Sequence, residues 1–272
     1  MVFFEPELAI SSRTFEFIFR AFALGDTALP ARGMGEIPAQ LAARLPQDGI
    51  RTGCRVERLG DGMVLLASGE RLVSRALVIA TEGAEAARLL GREEALVRMA
   101  GRGTTCVYYA AERTSVQGPY LLLDGEGRGL INSLLCPSNL SDHYAPPGRA
   151  LITVNCQGVL DYPERQETDL RRELTAWSGD QARGWESLAI YCLPQALPVQ
   201  APPVSYPGGV EQRLAEGLWV CGEYASAPSI QWALNSGHRA GEGVAAALLG
   251  WVSSASASGG MAVTSVGGDL SP

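Results

Sequence analysis

At 272 residues, 46% hydrophobic and 19% charged, the chain has room for one large domain or two small ones and reads as globular with a sizeable core. A net charge of −7 argues against binding a phosphate backbone, and no apolar run approaches the ~20 residues that span a bilayer, so neither nucleic acid nor a membrane crossing is expected. All 22 cationic residues are arginine, which excludes any chemistry that needs a lysine: Schiff bases, a Walker-type phosphate loop, a lysine general base.

Phe15, Ile18, Phe19 and Phe22 recur at helical spacing and predict an amphipathic helix over 11–25 whose phenylalanines enter the core. Gly33-Met34-Gly35 interrupts it, and Ile37-Pro38 opens a second helix, Ala39 to Leu45, stopped by Pro46. The period then changes. Ile50–Leu59, Met63–Ala67, Arg71–Val73 and Ala76–Thr81 read as strands, with a turn at Ser68-Gly69-Glu70. The last of these is apolar on both faces, as in a strand buried within a parallel sheet. A short helix over Ala84–Leu90 follows, then strands at Thr104–Ala111, Tyr120–Leu123, Leu130–Cys136 and Ala150–Gln157. Tyr108 and Tyr109 must point to opposite faces of theirs. Pro163 begins a helix to Ser178 with Leu170, Leu174 and Trp177 on one side, while Glu164, Glu167, Arg171, Arg172 and Glu173 form a solvated face. The proline-rich stretch 194–209 reads as an extended crossing segment. Leu218–Cys221 is an apolar strand, Ile230–Leu249 a long helix, and Ser253–Pro272 a disordered tail.

The six cysteines, Cys54, Cys106, Cys136, Cys156, Cys192 and Cys221, form no CxxC pair, and His143 and His238 are the only histidines, so no metal site is expected. The thiols read as reduced core residues of an intracellular, cytoplasmic protein. Met1-Val-Phe-Phe-Glu shows no signal peptide; an organellar address would require a targeting segment upstream. His143, in a turn, and His238, in a helix, read as surface residues.

The informative segment begins at Leu218. An apolar strand ends in Gly222-Glu223, a short loop follows, and Ser229 stands ready to cap the helix from Ile230. Ala233, Gly237, Ala240, Gly241 and Val244 give that helix a face of mainly small residues. Its free N–H groups and positive dipole end would meet a ligand at the strand's carboxyl end, where an acid can accept hydrogen bonds from a polyol. This segment resembles the C-terminal flavin-binding motif of the FAD-dependent amine oxidase and phytoene desaturase superfamily. Pro30-Ala-Arg-Gly-Met-Gly-Glu-Ile-Pro resembles that superfamily's Gly-Met-Gly helix entry, and Ile50–Thr81 its β-meander with the Val-Ile-Ala-Thr strand.

The resemblance, which runs from residue 1 to about 250, implies a mixed α/β (α+β) fold: part of an FAD-binding domain joined to a substrate domain of sheet and helix. It places residues 1–45 and 101–208 in the substrate domain, 46–100 and 209–251 in the FAD-binding domain, and 252–272 in the tail. It implies non-covalent FAD, with Gly222 and Glu223 at the ribityl chain. Ile230, Gln231, Trp232 and Ala233 would offer backbone to the flavin N1 and C2 carbonyl, Val56 would meet adenine, and Thr81 would lie beside the cofactor. Trp232 stands where the family commonly has glycine. The superfamily's Rossmann GxGxxG, which holds the pyrophosphate, does not occur in these 272 residues. The expectation is therefore an incomplete, C-terminal half. Either the sequence is a piece of a longer chain, or a separate Rossmann-containing chain supplies the rest as a partner. The activity implied is dehydrogenation of a small or apolar organic substrate by hydride transfer to flavin N5. The water-holding lysine of many amine oxidases is missing, which tilts the reading toward desaturase-like branches. The alternative is a flavin-less binding or assembly module derived from such an enzyme.

Overall fold

The computed structural model describes residues 4, 7, 9–60, 62–92, 101–114, 116–127, 129–161, 163–199, 202 and 211–258, with 163–164 and 251–258 described by backbone alone. Helices α1 (Ser12–Leu24) and α2 (Glu36–Ala42) precede a three-stranded antiparallel meander of β1 (Val56–Gly60), β2 (Met63–Leu66) and β3 (Arg71–Val73). Strand β4 (Leu77–Ile79) then leads into α3 (Gly83–Leu90). The Glu82 side chain caps α3 by accepting from the Ala84 and Glu85 N–H groups, and Gly91, in the left-handed region, ends it.

The next five strands are β5 (Gly101–Ala111), β6 (Leu121–Leu123), β7 (Ile131–Leu135), β8 (Ala150–Gln157) and β9 (Glu186–Pro198), in the order β6-β7-β8-β5-β9, all antiparallel. Helix α4 (Pro163–Ser178) lies on one face of this sheet. The two-residue period of β5 and β8 sends Val107, Tyr109, Ile152, Val154 and Cys156 to that side, where Leu170 and Leu174 of α4 are fully buried against them. Each such leucine contributes roughly 1.5–3 kcal/mol relative to exposure.

The expected solvated face of α4 is in part a buried polar link. The Tyr109 hydroxyl donates to Glu167 at 3.0 Å, and Glu167 pairs with Arg171 at 2.8 Å. Arg171 lies over the Tyr109 ring and donates to the Trp185 carbonyl, while Glu173 accepts from the Leu130 and Ile131 amides. Burial holds the Tyr109 phenol well above its ordinary value. These charges tie helix to sheet; of the expected face only Arg172 is exposed among the residues whose side chains are described.

The last sheet sets β10 (Arg213–Ala215) against β11 (Leu218–Val220), which runs parallel to β4 in the order β10-β11-β4. Ile79, Val220 and Ala86 form a second core with Leu59, Leu89 and Tyr224 around them. Helix α5 (Ile230–Ser258) closes the chain.

Several expectations change. The aromatic face of α1 does not enter the core: Phe15, Phe19 and Phe22 are all more than half exposed, and the helix instead turns Thr14 inward and Phe17 onto Trp232. Phe15 and Phe19 stack on each other along the helix, at 5.7 Å between ring centroids. Val78 is 36% exposed, so β4 is buried on one face only. Strand β9 takes up 186–198, absorbing the start of the supposed crossing segment; most of 200–210 lies outside the described residues. Helix α5 runs to Ser258, into the supposed tail, and 259–272 lie outside the described residues. Cys136, Cys156 and Cys221 are buried, but Cys54 and Cys106 are half-buried and Cys192 is exposed.

Candidate functional site

Because β4 and β11 are parallel neighbours, with Val78 beside Trp219 and Ile79 beside Val220, their carboxyl ends deliver Thr81-Glu82 and Gly222-Glu223 side by side. There they border a cleft of about 280 Å³. Its lining includes Thr81, Glu82, Gly222, Glu223 and Tyr224, with Ile230 and Ala233 from the first turn of α5. The far wall is Gly101, Gln195 and Pro198, from the paired ends of β5 and β9. The register of that pair shifts between Arg102 and Thr104, and the shift brings the end of β9 around to the cleft.

Any side chain at Gly222 would be strained. Its φ is 144°, and an added Cβ would lie 2.8 Å from a carbon of the Tyr224 ring. The glycine lets the chain leave the sheet and turn at once into the short helix Glu223–Ala225.

Two carboxylates reach the cleft, and they differ. Glu82 is committed to capping α3, at 2.8 and 3.2 Å from its two amide donors. The Glu223 side chain is half-buried, and its carboxylate makes no hydrogen bond or ion pair among the described residues; burial alone pushes its pKa up. Tyr224, behind Gly222, has a buried hydroxyl with no partner among the described residues, and burial first, then Cys221 and Glu82, push it to about 12.

At the start of α5 the Ser229 hydroxyl accepts from the Trp232 N–H at 3.2 Å, and the Ser229 carbonyl from the Ala233 N–H at 2.9 Å. The serine is thus the cap, and it uses two of the four amides expected to face the flavin, those of Trp232 and Ala233. The Gln231 side chain is exposed, and the Trp232 ring packs edge-on against Phe17 at 5.7 Å. Neither residue lines the cleft. Val56 lies on the meander, where Arg88 of α3 donates to its carbonyl at 3.1 Å and to that of Glu57 at 2.8 Å. Of the eight expected site residues, the structure gathers Thr81, Gly222, Glu223, Ile230 and Ala233 into one cleft and leaves Val56, Gln231 and Trp232 outside its lining. Tyr224, Gln195 and Glu82 were not anticipated. Tyr224 adjoins the motif and was within reach of the reading; Gln195 arrives from a strand that no local signal connects to the cleft.

A larger groove of about 940 Å³ lies between the β6–β7 hairpin and α4. Asp169 pairs there with Arg172, Glu173 accepts from the Leu130 and Ile131 amides, and Asp124 accepts from the Glu126 amide through Oδ1. The groove shares no lining residue with the cleft at the parallel strand ends. The smaller cleft is the better candidate because open α/β sheets bind ligands at the carboxyl ends of parallel strands. Among the described residues no group of three His, Cys, Asp or Glu could hold a metal, and no helix is long and apolar enough to cross a membrane.

Residues 1–245 match the family model of flavin-containing amine oxidoreductases. Among solved structures, reduced UDP-galactopyranose mutase aligns with a TM-score of 0.56 at 13% identity, over 82% of this chain and 57% of that one. A candidate protoporphyrinogen oxidase from Exiguobacterium sp. 255-15 aligns with a TM-score of 0.58 at 14% identity, over 78% of this chain and 51% of that one. At such identities the likeness is one of fold. The chain spans about half the length of the structures it matches. Comparison with curated proteins gives no match.

Proposed function

Since the chain belongs to the flavin-containing amine oxidoreductase family, we propose that it is the part of an FAD-dependent oxidoreductase that holds the ribityl end of the cofactor and shapes the substrate side, and that the complete enzyme dehydrogenates a small or apolar organic substrate. The observation that carries this reading is Glu223: a half-buried carboxylate with acceptor capacity to spare, at the joint of two parallel strands and a helix N-terminus.

The residues present fit such a group. A polyol chain supplies the hydroxyl donors that Glu223 lacks, and Gly222 leaves room for close approach. The first turn of α5 presents its positive end to an electron-rich ring edge. The cleft is at the lower limit of ligand pockets, so it suits one portion of a dinucleotide rather than the whole. When bound, FAD supplies the two-electron acceptor. The chain's own contribution is placement. Glu223 orients the polyol chain, Thr81 and Tyr224 form walls, and the five-stranded sheet with α4 forms the substrate side.

The test is a titration of the full-length protein with FAD, followed by flavin fluorescence and visible absorbance, in parent and Glu223→Ala forms. Loss of a charge-assisted hydrogen bond, about 1.5–3 kcal/mol, predicts roughly ten- to hundredfold weaker binding with an unchanged far-UV spectrum. A parent protein that binds no FAD would favour the alternative of a flavin-less assembly module.

A further inference from the structure

Resting on the flavin reading above, we propose that Ser236, steadied by Gln212, is the positioning residue of the cleft: through the Gly222 amide it sets the direction in which Glu223 meets the cofactor's polyol chain. The last sheet hydrogen bond of β11 runs from the Cys221 N–H to the Ile79 carbonyl at 2.9 Å. One residue later the Gly222 N–H leaves the sheet and donates to the Ser236 hydroxyl at 3.1 Å. Gln212 donates from Nε2 to that hydroxyl at 2.8 Å and to the Ser236 carbonyl at 2.7 Å, while its own carbonyl accepts from Val220 at 2.8 Å. Ser236 is 1% exposed and Gln212 is at the edge of full burial, so water does not compete for these bonds.

The need for such an anchor follows from Gly222 itself. A glycine at φ 144° has no side chain to restrict it, so its peptide can swing among several wells unless something fixes it. The next residue is Glu223, whose carboxylate has no partner of its own among the described residues. Its aim is therefore set by the backbone it hangs from. Ser236 is itself fixed: it shares the packed side of α5 with Ala240, which is fully buried, and with Gly243, where an added Cβ would lie 3.2 Å from the Trp219 indole nitrogen. Strand β11, the Gly222 turn and the second turn of α5 are thus locked through one hydroxyl.

The test is a double-mutant cycle in the full-length protein, read as the FAD dissociation constant. Ser236→Ala should weaken FAD about tenfold when Glu223 is present, and by less than about twofold in the Glu223→Ala background, because the serine acts through that carboxylate. Ser236→Thr keeps the hydroxyl and should restore most of the affinity. Amide exchange at Gly222 should accelerate in Ser236→Ala without FAD and not in Ser236→Thr. Gln212→Met, which keeps the volume and removes the donor, should show the same cycle more weakly and serves if Ser236→Ala does not fold. Equal losses in both Glu223 backgrounds, or no rescue by threonine, would overturn the proposal while leaving the flavin reading standing. Absence of FAD binding by the parent would overturn that reading, and this inference with it.

Discussion

Replacing Glu223 with glutamine separates what the carboxylate costs the fold from what it gives the cofactor. Burial raises its pKa, and no cation or donor among the described residues offsets the loss of water. The folded-state value therefore exceeds the unfolded one. The corresponding stability is fully present below the ordinary carboxylate range and is lost as pH rises through the raised value. Glutamine cannot ionise, so Glu223→Gln should melt above the parent at neutral pH, and the two curves should converge at about pH 4. Binding moves the other way. A hydrogen bond to a charged acceptor contributes about 1.5–3 kcal/mol and a neutral one about 0.5–1.5. The difference, about 1–1.5 kcal/mol, corresponds to roughly five- to tenfold weaker FAD. Thermal melts by circular dichroism without FAD, at both pH values, and an equilibrium FAD titration give the two readouts. A variant that melts below the parent at neutral pH would refute the reasoning, since the carboxylate would then have a partner in the fold.

Four further outcomes test the packing. Gly243→Val should destabilise by about 1–3 kcal/mol in urea, because its Cβ would press on Trp219, whereas Gly237→Ala, with nothing within 4 Å, should gain up to about 0.5–1 kcal/mol in helix propensity. Arg171→Leu should cost about 2–3 kcal/mol by the same measurement, as it leaves the Glu167 charge beside the Tyr109 phenol, with side chains only 21–27% exposed at the ion pair. Phe15→Ser with Phe19→Ser should shift stability by less than about 0.5 kcal/mol and raise solubility, since both rings already face water.

Much of the fold was legible in sequence wherever one period persisted. Strand β8 and helix α4 fall where alternation and helical spacing place them, because each buries one face against a single partner. The misreadings share a cause. Apolar residues on α1 and β4 were taken as buried because they are apolar, yet burial depends on what lies opposite, and Phe19 and Val78 keep 61% and 36% of their surface exposed. The charges of α4 were taken as solvated by the same shortcut. Glu167 and Arg171 lie inward because a tyrosine on β5, 58 residues before Glu167, offers a phenol to bind.

The candidate site divides along the same line. Gly222 and Glu223 could be read because the strand, the glycine and the acid are consecutive, and local order is what a sequence displays. The small face of α5 was read only in part: 233, 237, 240, 241 and 244 were grouped, whereas Ser236, Ala240 and Gly243, of which only Ala240 was in that group, are the set that packs. Small residues occur all round this helix, so composition did not mark the contact face; Trp219 on the facing strand selects it. Ser236 then looks, in sequence, like one more small residue. Only the fold brings it under the Gly222 amide and beside Gln212, two groups separated by the whole of β11. On the flavin reading proposed above, a motif supplies the ligand-facing acid, while the groups proposed to aim it come from tertiary contacts. In this chain the cycle linking Ser236 to Glu223 tests that division directly, since a residue that only packs would weaken FAD equally with or without the acid.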